Sequence, residues 1–297
     1  MIDFVKAHAC GNDFLILDEA VAVGAHAALA QRLCARNTSV GADGIEYLQR
    51  GPDGKFTLRL FNSDGSEAEL SGNGTRCVAA WLAMSEGLQS VALGTLGGVR
   101  TCRVIDSNGT EYLIESEMGV PQVEARTIEI PGVGTLSGAE VNVGNPHFVL
   151  FPEQVDFGMR GLKWQELGVK IATSPHFPHG TNVEFVIMQS NDKIAFRIYE
   201  RGCGPTTSSG TGTCASSAAA MVLLGTAREL TALAEGGAQR AVWPNNNAVM
   251  RLTGPAEIIC QGKAFQADAA VADKPAVVLR LARWLSQQHC APELHWQ

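Results

Sequence analysis

Arg59–Ala83 reads RLFNSDGSEAELSGNGTRCVAAWLA, and Arg197–Met221 reads RIYERGCGPTTSSGTGTCASSAAAM. Laid side by side, Ser71 falls on Ser209, Gly72 on Gly210 and Gly74 on Gly212, an offset of 138 residues. The same offset carries Ile45-Glu46, inside VGADGIEYL, onto Val183-Glu184, inside HGTNVEFVI. A third pair, CGNDFLILD at Cys10–Asp18 and VGNPHFVLF at Val143–Phe151, is displaced by 133 residues, and five residues of loop absorb the difference. Three matched blocks in one order mark two similar halves.

Each half carries the same coarse order. Short apolar or alternating runs at Phe14–Leu17, Phe56–Phe61, Phe148–Phe151, Val183–Met188 and Ile194–Tyr199 read as strands. Each half then has one helix of small and apolar residues, Gly74–Met84 and Gly212–Leu224, apolar nearly all round and therefore buried. The expected fold class is α+β: two similar domains, each a mainly antiparallel or mixed sheet wrapped around a central helix, related by a pseudo-twofold axis. The strands read in hairpin order, with no βαβ alternation. Domain limits of 1–118 and 119–262 put the junction in the Gly- and Pro-bearing stretch Met118–Pro121. Gly225–Asn247 reads as loop-rich, and 263–297 as an extension whose VVLRLARWLSQQ (Val277–Gln288) has the period of an amphipathic helix.

Composition narrows the function. The chain has 297 residues, 45% hydrophobic and 18% charged, which excludes disorder and allows two ordinary domains. A net charge of −7 argues against nucleic acid as a partner. Eight cysteines form no CxxC pair and no zinc-finger spacing, so no structural metal is expected. The start MIDFVKAHACGND lacks a signal region, and the longest apolar run, near Ala218–Gly225, is too short to span a membrane. The expectation is a cytoplasmic protein with reduced thiols. The outer sheet faces leave a homodimer open.

Ser71-Gly72-Asn73-Gly74 and Ser209-Gly210-Thr211-Gly212 each follow a strand and a turn and open a central helix. A helix start leaves N–H groups unpaired with partial positive charge, and glycine lets a ligand come close. One such loop alone would read as an ordinary N-cap. Two at matched positions predict one anionic group held between two helix starts. Neither loop has the G-K-[ST] ending of a P-loop, and the dinucleotide fingerprint is absent.

The residues at this point resemble the diaminopimelate epimerase family of cofactor-independent amino-acid epimerases. The matching motifs are CGNDFLILD, GADG, FNSDGSEAELSGNGTRC, VGNPHFV, FPHGTNVEFV, ERGCGPTTSSGTGTC and LTGPAEIICQG, which run to about Gly262. The resemblance implies two acid–base residues on opposite faces of a substrate α-carbon, at Ser71 and Ser209, with His147 and Glu200 beside them. It implies that Asn12, Asn62, Asn145, Asn182 and Arg201 hold the substrate, chiefly its distal end. Gly72, Asn73, Gly210 and Thr211 match the backbone cradle for the reacting carboxylate. The expected partner is a small amino acid, diaminopimelate first, and no metal, nucleotide or pyridoxal cofactor is implied. Pro205 and Glu46 leave room for another amino acid.

One departure stands out. The family has cysteine at both acid–base positions, whereas this chain has Ser71 and Ser209. A thiol at a helix start can ionise in neutral water, while a serine hydroxyl needs an adjacent base. Three readings follow: an epimerase whose two cysteines have been exchanged for serine, leaving an inactive form that holds substrate; a natural relative that racemises another amino acid or performs isomerisation or dehydration, with Cys10 or Cys203 as a displaced thiol; and a non-catalytic amino-acid-binding protein.

Overall fold

The computed structural model describes residues 1–152 and 163–265. The first half runs β1 (Ile2–Ala9), β2 (Asn12–Asp18), α1 (His26–Leu33), β3 (Gly44–Arg50), β4 (Phe56–Asn62), β5 (Glu67–Ala68), α2 (Gly72–Glu86), β6 (Ser90–Thr95), β7 (Gly98–Asn108) and β8 (Glu111–Gly119). The second runs β9 (Gln122–Ile130), β10 (Gly134–Asn142), β11 (Pro146–Leu150), α3 (Trp164–Ala172), β12 (Asn182–Ser190), β13 (Lys193–Glu200), β14 (Gly204–Thr206), α4 (Gly210–Ala219), β15 (Glu229–Ala234), β16 (Gly237–Val242) and β17 (Met250–Ala264). The helix expected at Val277–Gln288 lies outside the described residues. Among those residues no helix is long and apolar enough to cross a membrane.

Strand alternation builds two layers in each half. Phe14, Ile16, Leu58 and Leu60 point inward onto Cys77, Val78 and Leu82 of α2, while Leu15, Leu17, Ile45 and Tyr47 point outward to α1. The second half repeats this. Val149, Val186, Phe196 and Ile198 enclose Cys214, Ala215 and Ala218 of α4, and Phe148, Val183 and Phe185 face α3. A helix buried on every side needs small residues, which explains Ala79-Ala80 and Ala218–Ala220. Ser71 caps α2 through Gly74 N–H to Oγ (3.0 Å), and Gly87, in the left-handed conformation, ends it. Ser209 caps α4 in the same way, through Gly212 N–H (3.1 Å), and the last turn widens to a π-type turn at Ala220–Leu224.

The pairing register repeats as well. β2 and β3 run parallel with Phe14 opposite Gly44, and β11 and β12 run parallel with His147 opposite Asn182. These pairs correct the expectation of hairpin order without βαβ units. α1 lies in the connection between β2 and β3, and α2 crosses between the parallel strands β4 and β6. The eight-residue α1 is too short for its period to stand out in the sequence. Gly225–Asn247 is also corrected. It contains the hairpin β15–β16, turned at Glu235-Gly236 and bounded by Gly225 and Pro244. β17 runs between the halves: Met250 and Leu252 belong to the core around α4, Ala256 and Ile258 to the core around α2. Its C-terminal part pairs with β1 from Ile2–Ala264 to His8–Glu257.

Candidate active site

The two halves meet at the starts of α2 and α4. A methyl group added to Gly72 would lie 3.0 Å from Gly210 Cα, and one added to Gly210 would lie 2.8 Å from Gly72 Cα. Both glycines have ordinary negative φ, so what demands glycine here is the close approach of two backbones. The first-turn N–H groups of Gly72, Asn73, Gly210 and Thr211 have no helical partner. The two helix starts thus abut, and the partial positive charge at a helix start suits a carboxylate.

Beside this contact lies a cleft of about 220 Å³, lined from both halves. Nine of the expected site residues line it: Asn12, Asn62, Ser71, Asn145, Asn182, Glu200, Arg201, Ser209 and Thr211. Gly72, Gly210 and Asn73 lie behind it. Asn73 is fully buried, and its side chain ties the halves together, donating to Asn12 Oδ1 (3.1 Å) and to the Ser208 carbonyl (3.3 Å). His147 is buried behind Asn145. Its Nδ1 lies 2.6 Å from Glu184 Oε1 and its Nε2 2.8 Å from Asn145 Oδ1, and Asn145 in turn donates to Thr211 Oγ1 (3.3 Å). His147 therefore orients Asn145 and does not face the cleft.

The two serines have unequal surroundings. Ser209 lies beside Glu200, whose carboxyl is pushed up to about 7 by burial, with the Ser209 hydroxyl opposing that rise. Ser71 Oγ accepts from Gly74 N–H and has no ionisable hydrogen-bond partner among the described residues. At the far end of the cleft, Arg201 clasps Glu69 through Nη2 (2.7 and 2.9 Å) and donates to the His179 carbonyl. Asn182 Oδ1 accepts from Arg201 N–H, which fixes where the side chain departs. Asn62 Nδ2 donates to Ser66 Oγ, and Asn12 Nδ2 donates to Asp43 Oδ2 (2.7 Å).

Several supporting residues escaped the sequence reading. Arg76, fully buried, donates to the Gly72 carbonyl (3.0 Å) and to Asn73 Oδ1 (2.6 Å), bracing the cradle from behind. Gln239 donates to Asn73 Oδ1 and Ser208 Oγ, and Asp43 joins Asn12 to Arg36. The position of Arg76, three and four residues after Asn73 and Gly72, was the available signal. Of the two spare cysteines, Cys10 is buried outside the cleft lining, and Cys203 lines the cleft and is exposed.

Known proteins share this chain's sequence pattern and its fold. A family model described as diaminopimelate epimerase matches residues 4–124 and 139–259. The chain is 35% identical over 279 residues to the diaminopimelate epimerase of Pelotomaculum thermopropionicum, covering 88% of this chain and 98% of that one. It is 35% identical over 284 residues to that of Nostoc punctiforme, covering 88% and 99%. Among solved structures, a probable proline racemase from Agrobacterium radiobacter has the same fold at TM-score 0.71 and 16% identity, covering 91% and 94%. A hydroxyproline epimerase from Agrobacterium vitis follows at TM-score 0.68 and 13% identity, covering 88% and 91%. On its motifs, its doubled fold and these matches, the chain belongs to the diaminopimelate epimerase family.

Proposed function

We propose that the protein epimerises an amino acid at its α-carbon without a cofactor, with diaminopimelate (L,L to meso) as substrate. The observation that carries this reading is the pair of apposed helix starts, each with its serine, at one cleft lined from both halves. The α-carboxylate lies across the N–H groups of Gly72, Asn73, Gly210 and Thr211, which stabilise it as it takes up charge on loss of the α-proton. Ser71 and Ser209 address opposite faces. In one direction Ser209, its own proton passed to Glu200, takes the α-proton while the Ser71 hydroxyl delivers its proton to the opposite face; the centre inverts, and the proton held by Glu200 returns through solvent to Ser71. Arg201, a planar fork, receives the distal carboxylate in competition with Glu69, and Asn62 and Asn182 flank it.

Serine makes this chemistry slow. Ser209 has Glu200 beside it to serve as a base, while Ser71 has no ionisable hydrogen-bond partner among the described residues. That asymmetry favours one second reading, a protein that binds the amino acid and turns it over hardly at all. Calorimetry with meso- and L,L-diaminopimelate, paired with NMR of α-hydrogen exchange in D₂O, tests both. Binding with measurable exchange supports the epimerase, and binding without exchange supports the second reading. No binding of these or other free amino acids would overturn both.

A further inference from the structure

Glu46 is a buried acid with an unsatisfied oxygen. It sits on β3 with 1% of its surface exposed, and its Oε1 makes no hydrogen bond among the described residues. The repeat shows why it is alone. In the second half, three ionisable groups surround the start of α4: His147, Glu184 and Glu200. Their counterparts around α2 are Phe14, Glu46 and Asn62. Only the acid on the middle strand survives in both halves. Glu184 is held by His147 at 2.6 Å, whereas Glu46 faces Phe14's half without an imidazole.

Both acids abut the first turn of their helix. A methyl group at Gly212 would lie 3.1 Å from Glu184 Oε1, and one at Gly74 would collide with Glu46 Oε1. The Glu46 carboxyl is thus pressed against the residue whose N–H bonds Ser71 Oγ. Its neighbours are Ile16 on β2, Leu60 on β4, and Gly74 and Cys77 on α2. None is a cation, and burial keeps the Cys77 thiol neutral. Burial likewise pushes Glu46 up to about 8.

We propose that Glu46 sets the charge of the α2 side of the carboxylate cradle: as a neutral acid it leaves the substrate carboxylate as the sole anion at that helix start, and as a carboxylate it opposes that anion. This rests on the amino-acid site proposed above. Glu46 touches no substrate; it is a positioning residue acting through the first turn of α2. Two like charges at one helix end weaken each other's binding. The coupling is reciprocal, so a bound carboxylate holds the proton on Glu46 and an ionised Glu46 loosens the carboxylate.

The test is calorimetry of the full chain with meso-diaminopimelate on either side of pH ~8, in buffers of different ionisation enthalpy, for the parent, E46Q and E46L. The parent takes up a fraction of a proton per ligand bound near that pH and binds about tenfold more weakly above it. E46Q and E46L lack this uptake and this loss. The ligand's own amino groups titrate equally in all three and cancel in the comparison. Infrared difference spectra add a direct reading, a protonated-carboxyl C=O band in the parent at neutral pH that is absent from E46Q. Ligand binding with the same proton uptake and alkaline loss in E46Q would overturn this proposal alone, as would absence of that band. A parent that binds no amino acid at any pH would bring down the site reading and this proposal with it.

Discussion

Replacing Gly210 by alanine drives apart the two helix starts on which the site depends. The new Cβ would stand 2.8 Å from Gly72 Cα, 2.9 Å from Gly72 C and 3.2 Å from Asn73 N, all backbone atoms that cannot rotate away. Comfortable carbon contacts begin near ~3.5 Å, so α2 and α4 must separate by roughly 0.7 Å. Overpacking of this kind costs about 1–3 kcal/mol of stability. A carboxylate bonded to both helix starts at about 2.8 Å cannot follow both, and one set of bonds stretches past ~3.5 Å. Losing one charge-assisted hydrogen bond costs about 1.5–3 kcal/mol, roughly ten- to a hundredfold in affinity. Gly72→Ala is the milder companion, because one of its contacts, at 3.1 Å, is the flexible Met118 methyl. Thermal unfolding and calorimetry with meso-diaminopimelate measure both effects. A G210A protein with the parent's melting temperature and the parent's affinity would refute a shared cradle.

Three further outcomes follow from the site. His147→Ala leaves Glu184 buried and uncompensated, since both side chains of the pair are 0% exposed; urea unfolding should show a loss of about 3–5 kcal/mol, and a loss below ~1 kcal/mol would contradict the pairing. With burial pushing Glu200 up to about 7, the carboxylate that serves Ser209 forms as pH rises through that value. At saturating ligand, exchange of the α-hydrogen should therefore climb through neutrality and level off, and Glu200→Gln should abolish the climb. Arg201→Ala should weaken diaminopimelate by about 1.5–3 kcal/mol while leaving a simple amino acid such as alanine nearly unaffected; equal effects on both ligands would argue against a distal role for Arg201.

The repeat made the main architecture legible, because a pattern shared at fixed spacing by 71–74 and 209–212 survives without any knowledge of packing. It located the two buried helices, and the other side chains that line the cleft were implied by the family resemblance that the surrounding motifs carry. The short helices α1 and α3 and the parallel pairs β2–β3 and β11–β12 were not legible. Parallel pairing depends on where a crossover lands, and α1 spans barely two turns. The bracing residues were hidden for a related reason. Gln239 reaches Asn73 across 166 residues, and Arg76 bonds the carbonyl of Pro255 across 179. No local period or spacing encodes such partners. Glu46 was visible as a repeated acid beside Ile45, but its isolation appears only once Phe14 is seen where its twin has His147.

In the proposed mechanism Ser71 and Ser209 occupy the two acid–base positions of an epimerase, and oxygen in place of sulfur limits the rate. Deuterium exchange and stereoisomer interconversion of diaminopimelate in D₂O, compared between the parent and the Ser71→Cys, Ser209→Cys double variant, measure this directly. A thiol ionises far more readily than an alcohol at a helix start, so the double variant should be faster by on the order of a thousandfold or more, ~4 kcal/mol of barrier. A double variant no faster than the parent, or a parent already as fast, would contradict it.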